Sequence, residues 1–367
     1  MGWRVTRAHL EHLAIGAGIL GTGGGGNPYL GKLLARSFLD AGGTIEVVTV
    51  GEVPDDALVC SVGGMGSPTI SFERLLRENE ALNALRALER HIGRAITHVV
   101  PSEIGGSNST IPMVVAVQAG IPVIDADGMG RAFPELQMET FCIGGVSPTP
   151  AALANYHGQA IVFDHIDDAA ALERYARAVA IQMGGRAGYA FPAMSGNELK
   201  ATAIPGTLSL AIRVGEAVLD ARAAHRSPID AICATSGGQV LFAGKITDVQ
   251  RELRGGFARG VVILEGFGRF AGEIVRVDIQ NENLIVRAGD GRILAVVPDL
   301  ICLVDSDTGE PLTTEILRYG LRATMIGIPA PSQLRTGRAL RVVGPAAFGY
   351  ADVSYVPLPG VYGSAEG

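Results

Sequence analysis

The sequence predicts an α/β fold in two domains: an N-terminal three-layer domain with a mostly parallel sheet over residues 1–165, and a C-terminal α+β domain with a β-rich part over 166–367. Length is the first observation behind this prediction, because 367 residues suit about two domains. The second is that short β-branched runs alternate with helical patterns in the first half, which is typical of a parallel sheet covered on both faces. The third is that strand patterns dominate from Gln239 onward.

The N-terminal elements follow from local patterns. Apolar residues at helical spacing predict a helix over 7–20, with Thr6 as its N-cap. Asn27 followed by Pro28 is typical of a helix start, and we expect that second helix to reach residue 40. The other elements predicted in this half are strands over 44–50, 57–62, 96–100 and 121–125, and helices over 72–91 and 111–119.

The C-terminal elements begin with helices and continue with strands. Helices are predicted over 169–183 and 208–224, and strands over 274–279, 284–287 and 293–297. Asp290-Gly291 lies between the last two strands and is typical of a hairpin turn. The polar residues 280–283 lie between the first two, and we interpret them as a tight turn.

Composition excludes several functional classes. The net charge is −7 and no run of Lys or Arg occurs, so we expect no nucleic-acid partner. No apolar run approaches the ~20 residues that a membrane span needs. Four cysteines without a C-x-x-C pair indicate a reducing compartment. We therefore expect a soluble, cytoplasmic protein that binds no membrane, and we also expect a homo-oligomer.

Glycine is unusually frequent, with 50 residues in 367, and the densest run is 21–26. Residues 16–21 match a G-x-G-x-x-G pattern and residues 21–26 match it again, but the residues before 16 look helical rather than strand-like, so we expect no nucleotide cofactor. Two interpretations of the loop stay open. Its backbone amides can form an anion or oxyanion site, or the loop is a turn packed tightly on a neighbour. The candidate substrate-binding residues here are Gly23, Gly24, Gly25, Gly26 and Asn27.

Acidic residues follow two of the predicted strands. Glu103 comes after the strand over 96–100, and Asp125 and Asp127 come at the end of the next. Loops at the carboxyl edge of a parallel sheet form ligand sites, so these carboxylates are candidates for activating a water molecule. A divalent metal held by Asp125 and Asp127 is the alternative, and helix or turn capping is the purely structural one.

Other polar residues complete the candidate site. Asn108, Arg131 and Glu135 lie in the same loops, and Arg131 is suited to holding an anionic substrate. His157 and His165, near the predicted domain boundary, are the histidines we retain as candidate metal ligands.

Several segments together resemble one family, the DUF917 proteins, which are described as similar to S-methyl thiohydantoin desulfurase. The resemblance covers nearly the whole chain in order. Its matching stretches are residues 20–29, 101–106, 125–135, 205–211, 281–284, 298–300 and 344–350. The resemblance implies S-Me-THD-like N- and C-terminal domains and a small heterocyclic substrate, a hydantoin or thiohydantoin ring.

A hydrolytic desulfuration follows as the functional hypothesis. Water would attack the carbon bonded to sulfur, with Asp125, Asp127 and Glu103 as its activators and the glycine amides as the anion site. Two alternatives stay open: a ring-opening hydrolase of hydantoins or lactams, and a non-catalytic partner or ligand sensor that works beside a hydantoinase.

Overall fold

Two large β-sheets organise the chain in a computed structural model that describes residues 2–66 and 77–359. The strands are β1 Trp3–Arg4, β2 Glu46–Val48, β3 Leu58–Gly66, β4 His98–Pro101, β5 Val123–Ile124, β6 Ala126–Asp127, β7 Ala151–Ala154, β8 Ala160–Phe163, β9 Arg186–Ser195, β10 Ile204–Pro205, β11 Gln239–Arg254, β12 Phe257–Gly266, β13 Ile274–Gln280, β14 Glu282–Ala288, β15 Ile293–Val296, β16 Leu300–Asp305 and β17 Arg322–Ile328. The α-helices are α1 Arg7–Leu20, α2 Pro28–Asp40, α3 Glu80–Ile92, α4 Ile111–Ala119, α5 Thr140–Gly144, α6 Ala169–Gln182, α7 Gly196–Thr202, α8 Thr207–Ala223, α9 Pro228–Ser236 and α10 Gly337–Val343.

The first sheet has the strand order β1-β2-β5-β4-β3-β9-β7-β8. Strands β2, β5, β4 and β3 run parallel, and the remaining pairs are antiparallel. The predicted α/β class is confirmed, with the parallel strands gathered in one part of a mixed sheet. Strand β9 pairs between β3 and β7, so this sheet takes strands from both sides of residue 166.

The second sheet is antiparallel and lies in the C-terminal part, in the order β15-β14-β13-β12-β11-β17-β16. It curls, so that the Asn283 side chain in β14 donates a hydrogen bond of 2.9 Å to the carbonyl of Ile301 in β16. The predicted hairpin at Asp290-Gly291 joins β14 and β15. The β-rich C-terminal part is therefore confirmed.

Both predicted N-terminal caps are present. The Thr6 hydroxyl accepts a hydrogen bond from the amide of His9, and the Asn27 carboxamide accepts from the amide of Tyr29 at 2.9 Å. Each bond satisfies a helix-terminal N–H that lacks an intrahelical partner. Helices α1 and α2 begin where the sequence predicts because these signals are local.

Helices α1 and α8 pack closely through glycine. A Cβ atom on Gly16 would lie 1.8 Å from the carbonyl oxygen of Ala211, and one on Gly215 would lie 1.8 Å from that of His12. Such contacts leave no room for a side chain. The first glycine of the G-x-G-x-x-G pattern therefore serves helix packing within α1, not a strand-to-helix turn.

Some predicted boundaries are wrong. Strand β3 continues through residue 66, past the predicted end at residue 62, because residues 63–66 pair with β9. The predicted strand over 121–125 is shorter, as β5 Val123–Ile124, and the chain continues after Asp125 into β6, which pairs with β10. The predicted helix over 72–91 is present as α3 from Glu80, and its expected start lies outside the described residues.

Among the described helices, none combines the length and apolar character that a membrane crossing requires.

Candidate active site

A polar pocket of about 660 Å³, its open mouth included, lies where the ends of β3 and β4 meet the β13–β14 turn. Charged side chains of both signs line it: Glu103, Glu135, Glu282, Arg177 and Arg186. Several of them are almost fully buried. A pocket on which several buried charged side chains converge is a typical place for binding or catalysis.

Glu103 follows β4 and is held from both sides. Its Oε1 accepts a hydrogen bond of 2.5 Å from the side-chain amide of Asn108, and its Oε2 accepts one of 3.1 Å from the backbone amide of Phe133. Asn108 is itself fixed by the amide of Gly64, at 2.9 Å. Burial raises the pKa of Glu103 to about 8, although both hydrogen bonds favour its ionised form. The group can therefore give and take a proton near neutral pH.

Glu282 reaches the pocket from a turn between β13 and β14. Asn281, the single residue between these strands, has φ +58°. Its amide donates to the carbonyl of Ala258 at 2.7 Å, and its side chain accepts from the amide of Ala258 at 2.8 Å. Burial, followed by the nearby charge of Glu103, raises the pKa of Glu282 well above its ordinary value. The residues 280–283 do form a tight turn, but that interpretation missed the carboxyl group that the turn carries.

The glycine loop contributes backbone to the pocket through Gly25 and Gly26. The carbonyl of Gly25 accepts from the amide of Asn108 at 3.1 Å, and that of Gly26 accepts from the amide of Ser107 at 3.3 Å. In the described part of the chain, the amides of Gly25 and Gly26 donate to no acceptor. The loop thus packs tightly on a neighbouring loop, as the second interpretation predicts, and the anion site stays a prediction.

We predict that Gly25→Ala disrupts the site, whereas Gly42→Ala does not. Both glycines have positive φ, +81° and +90°, so both substitutions carry a backbone cost of about 1–2 kcal/mol. A Cβ on Gly25 would also lie 2.3 Å from the backbone of Gly105, whereas one on Gly42 meets nothing within 4 Å. Thermal unfolding and turnover of the two variants test this. Equal losses in both would show that the loop contact is unimportant.

Arg131 does not line the pocket. It is fully buried, and its guanidinium donates to carbonyls of Ala132 at 3.0 Å, Asp299 at 2.7 Å and Asn283 at 2.9 Å, and to the hydroxyl of Thr22 at 2.8 Å. These partners lie in both sequence halves. Arg131 therefore ties the glycine loop to the second sheet, and its donors are occupied by protein.

Asp125 and Asp127 also lie behind the pocket. Asp125 accepts hydrogen bonds from the amide and the hydroxyl of Ser209, at the start of α8. Asp127 Oδ2 accepts from the amides of Ile104, at 2.8 Å, and Gly130, at 2.7 Å. Asp125 thus caps a helix, and Asp127 fixes the loop after β4, which includes Glu103.

The remaining glycine-loop candidates act in the framework. Gly23 accepts a hydrogen bond from the amide of Thr314 at 2.9 Å, and Asn27 is occupied as a helix cap. Gly24 lies against Glu282. Glu135, by contrast, lines the pocket, and its carboxylate accepts a hydrogen bond from Gln137.

The candidate metal ligands are not brought together. His165 is exposed beside Asp167, and His157 stacks on Tyr156 next to the β7–β8 turn. Neither lines the pocket. Within residues 2–66 and 77–359 no group of three or more His, Cys, Asp or Glu side chains is placed to hold a metal ion.

Two arginines of the pocket were missed by sequence reasoning. Arg177, on α6, donates to Glu173 and to the carbonyl of Pro134, each at 2.7 Å. Arg186, at the start of β9, donates to Glu80 at 3.2 Å. Neither lies in a motif, and only the pairing of β9 with β3 brings Arg186 to the site. A search for local patterns has no signal with which to find them.

Comparison with known proteins covers both sequence halves. Residues 8–165 match the model of the S-Me-THD-like N-terminal domain, and residues 166–358 match that of the S-Me-THD-like C-terminal domain. A crystal structure of a protein from Chromobacterium violaceum, a target of the Northeast Structural Genomics Consortium, is similar with a TM-score of 0.80 and 27% identity, over 97% of this chain and 99% of that one. No curated protein matches the chain.

Proposed function

The chain belongs to the S-Me-THD-like family, and from this premise we propose that it hydrolyses the carbon–sulfur bond of a thiohydantoin-type ring in the pocket around Glu103. The observation that carries the proposal is the environment of Glu103. It is a buried carboxyl group with a pKa of about 8, held by two donors in a pocket that also has backbone amides without acceptors. Family membership supports the substrate class, and the pocket supports acid–base chemistry.

Glu103 acts as the base in this proposal. Its ionised carboxylate takes a proton from water as the water oxygen bonds to the ring carbon that bears sulfur. Negative charge then develops on the atoms attached to that carbon. In this proposal the amides of Gly25 and Gly26 stabilise that charge, since N–H donors fixed before the reaction need no reorganisation. Collapse of this adduct forms a C=O bond and expels sulfur as a thiol or sulfide.

Product analysis tests the proposal. The purified protein is incubated with an S-methyl thiohydantoin and, separately, with the unmethylated thiohydantoin. We expect methanethiol from the first and sulfide from the second, each with one equivalent of the intact hydantoin ring. Ring opening without sulfur release would identify a hydantoin or lactam hydrolase instead. Binding without any turnover would favour a ligand sensor.

We predict that Asp125→Asn keeps turnover within a few-fold of the wild type. An Asn side chain can still accept the hydrogen bond from the amide of Ser209, and Asp125 does not line the pocket. The measurement is kcat/KM for thiol release, with the melting temperature recorded on the same preparation. A hundred-fold loss in a stably folded Asp125→Asn variant would give Asp125 the catalytic role and take it from Glu103.

A further inference from the structure

We propose that Glu282 is the acid partner of Glu103, and that the two carboxyl groups share one proton in the pocket. The identity of the bond that is cleaved rests on the proposed function, whereas the pairing rests on the shared pocket and on the burial and hydrogen bonds of the two carboxyl groups. Both residues line the same pocket, although they come from opposite sequence halves. In this pair Glu103 is the base and Glu282 the acid.

The backbone around Glu282 is fixed more firmly than a surface turn requires. Asn281 adopts a left-handed conformation that non-glycine residues rarely adopt, and three hydrogen bonds hold it, including one of 2.6 Å from the Thr314 hydroxyl to its carbonyl. On the other side of Glu282, the amide of Asn283 donates to the carbonyl of Thr22 at 2.9 Å. These hydrogen bonds fix the backbone on both sides of Glu282.

Gly24 makes room for the Glu282 carboxyl group. A Cβ atom on Gly24 would lie 2.0 Å from Glu282 Oε1. The glycine loop therefore fits around this carboxyl group as well as around the neighbouring loop. Glu282 as a whole residue keeps only 3% of its exposure.

The two carboxyl groups differ in their hydrogen bonds. Both oxygens of Glu103 accept donors, which favours its ionised form. Glu282 Oε2 is buried and has no partner from another residue in the described part of the chain, which favours its neutral form. The charged groups that act on Glu282 are Glu103, Arg131 and Arg177. When two carboxyl groups interact in this way, the proton belongs to the pair, and here it stays on Glu282.

The chemistry balances with one shared proton. Glu103 takes a proton from water as the water oxygen bonds to the ring carbon. The C=N electron pair moves onto the ring nitrogen as this C–O bond forms. Glu103 then passes its proton to that nitrogen. As the adduct collapses, its hydroxyl proton goes to Glu103, the C–S bond breaks, and Glu282 protonates the departing sulfur. The pair then holds its proton on Glu103. Transfer of that proton back to Glu282 restores the starting state. The ring nitrogen and the sulfur have then gained two protons in total, and the water has supplied two.

The test compares leaving groups that do and do not need protonation. The substrates are S-methyl thiohydantoin and an S-(4-nitrophenyl) analogue, whose thiolate is a far weaker base. We expect Glu282→Gln to lower kcat for the S-methyl substrate by about 10²-fold or more and to leave the S-aryl substrate within a few-fold of the wild type. Glu103→Gln should lose both activities. Gly24→Ala should reproduce the Glu282→Gln pattern, because its Cβ displaces the carboxyl group. Equal losses of Glu282→Gln on both substrates, or none, would overturn the proposal.

A second measurement keeps the pairing separate from the reaction. The carboxyl groups of ¹³C-glutamate-labelled protein are titrated by NMR. The Glu282 signal is assigned as the one that is missing from the spectrum of Glu282→Gln. We expect Glu282 to titrate at lower pH in Glu103→Gln, because a neighbouring negative charge has been removed. An unchanged titration would refute the pair. If this shift is present while the wild type releases neither thiol nor sulfide, the pair stands and the proposed function fails.

Discussion

Glu103→Gln should lower kcat/KM for thiol release by about 10²–10⁴-fold, the usual contribution of a positioned acid or base. The amide keeps the shape of the side chain but cannot take a proton from water. In the wild type kcat/KM should rise as the pH approaches about 8, because the ionised fraction of Glu103 increases through its pKa. The variant should lose this dependence along with its rate. A pH series of initial rates on both proteins measures both effects.

Glu139→Gln is the matched control for this experiment. Glu139 is fully buried, and burial raises its pKa as it does that of Glu103, but it does not line the pocket. Its Oε1 accepts a hydrogen bond from the hydroxyl of Ser61, which does not line the pocket either. We expect this variant to keep most of its activity. A loss as large as that of Glu103→Gln would mean that removing any buried carboxyl group disables the protein, and that Glu103 has no special role.

The free energy of unfolding should change with pH, and the part due to Glu103 should be missing from Glu103→Gln. The folded protein holds the Glu103 proton up to about pH 8, whereas the unfolded chain releases it near 4.5. This contribution to the free energy of unfolding is fully present below pH 4.5 and is lost as the pH rises through about 8. Glu103→Gln should therefore lose less stability than the wild type between pH 5 and 9. Urea unfolding at several pH values compares the two slopes.

Local signals explain which parts of the fold were predictable. Thr6 and the Asn27-Pro28 pair mark helix starts by chemistry that acts within a few residues, and both helices begin where expected. Glu103 could be proposed because it follows a strand, but Asp125 also does. Only the structure separates them, since one carboxylate lies in the pocket and the other caps a helix.

Long-range pairing explains what the sequence could not show. Arg186 reaches the pocket because β9 inserts between β3 and β7, a strand order that no local pattern encodes. Glu282 reaches it because the second sheet places the β13–β14 turn beside the glycine loop. A polar cluster between two strands looks like an ordinary turn until its neighbours are known. The pocket residues that sequence reasoning missed are therefore those that long-range packing brings to the site.

Arg131→Met should destabilise the protein by at least about 3 kcal/mol, because it leaves several buried acceptors without a donor. The guanidinium donates hydrogen bonds to the carbonyl oxygens of Ala132, Asp299 and Asn283 and to the Thr22 hydroxyl. A water molecule can take over these bonds only where the substitution leaves a cavity large enough to hold it. Arg131→Lys should also be destabilised, since one ammonium group cannot reach acceptors spread around a planar fork. Urea unfolding measures both. Arg254→Met, on an exposed part of β11, should stay within about 0.5 kcal/mol of the wild type.

The same variants separate the structural role of Arg131 from the substrate-binding role that its sequence position suggests. A residue that holds an anionic substrate would, when replaced, raise KM and leave the unfolding free energy unchanged. Replacing a residue that joins the glycine loop to the second sheet would lower the free energy of unfolding. It would lower activity only because Gly25 and Glu282 move apart. Since every bond of the guanidinium goes to protein across both sequence halves, we expect the second outcome. An Arg131→Met protein of wild-type stability with a raised KM would restore the binding role.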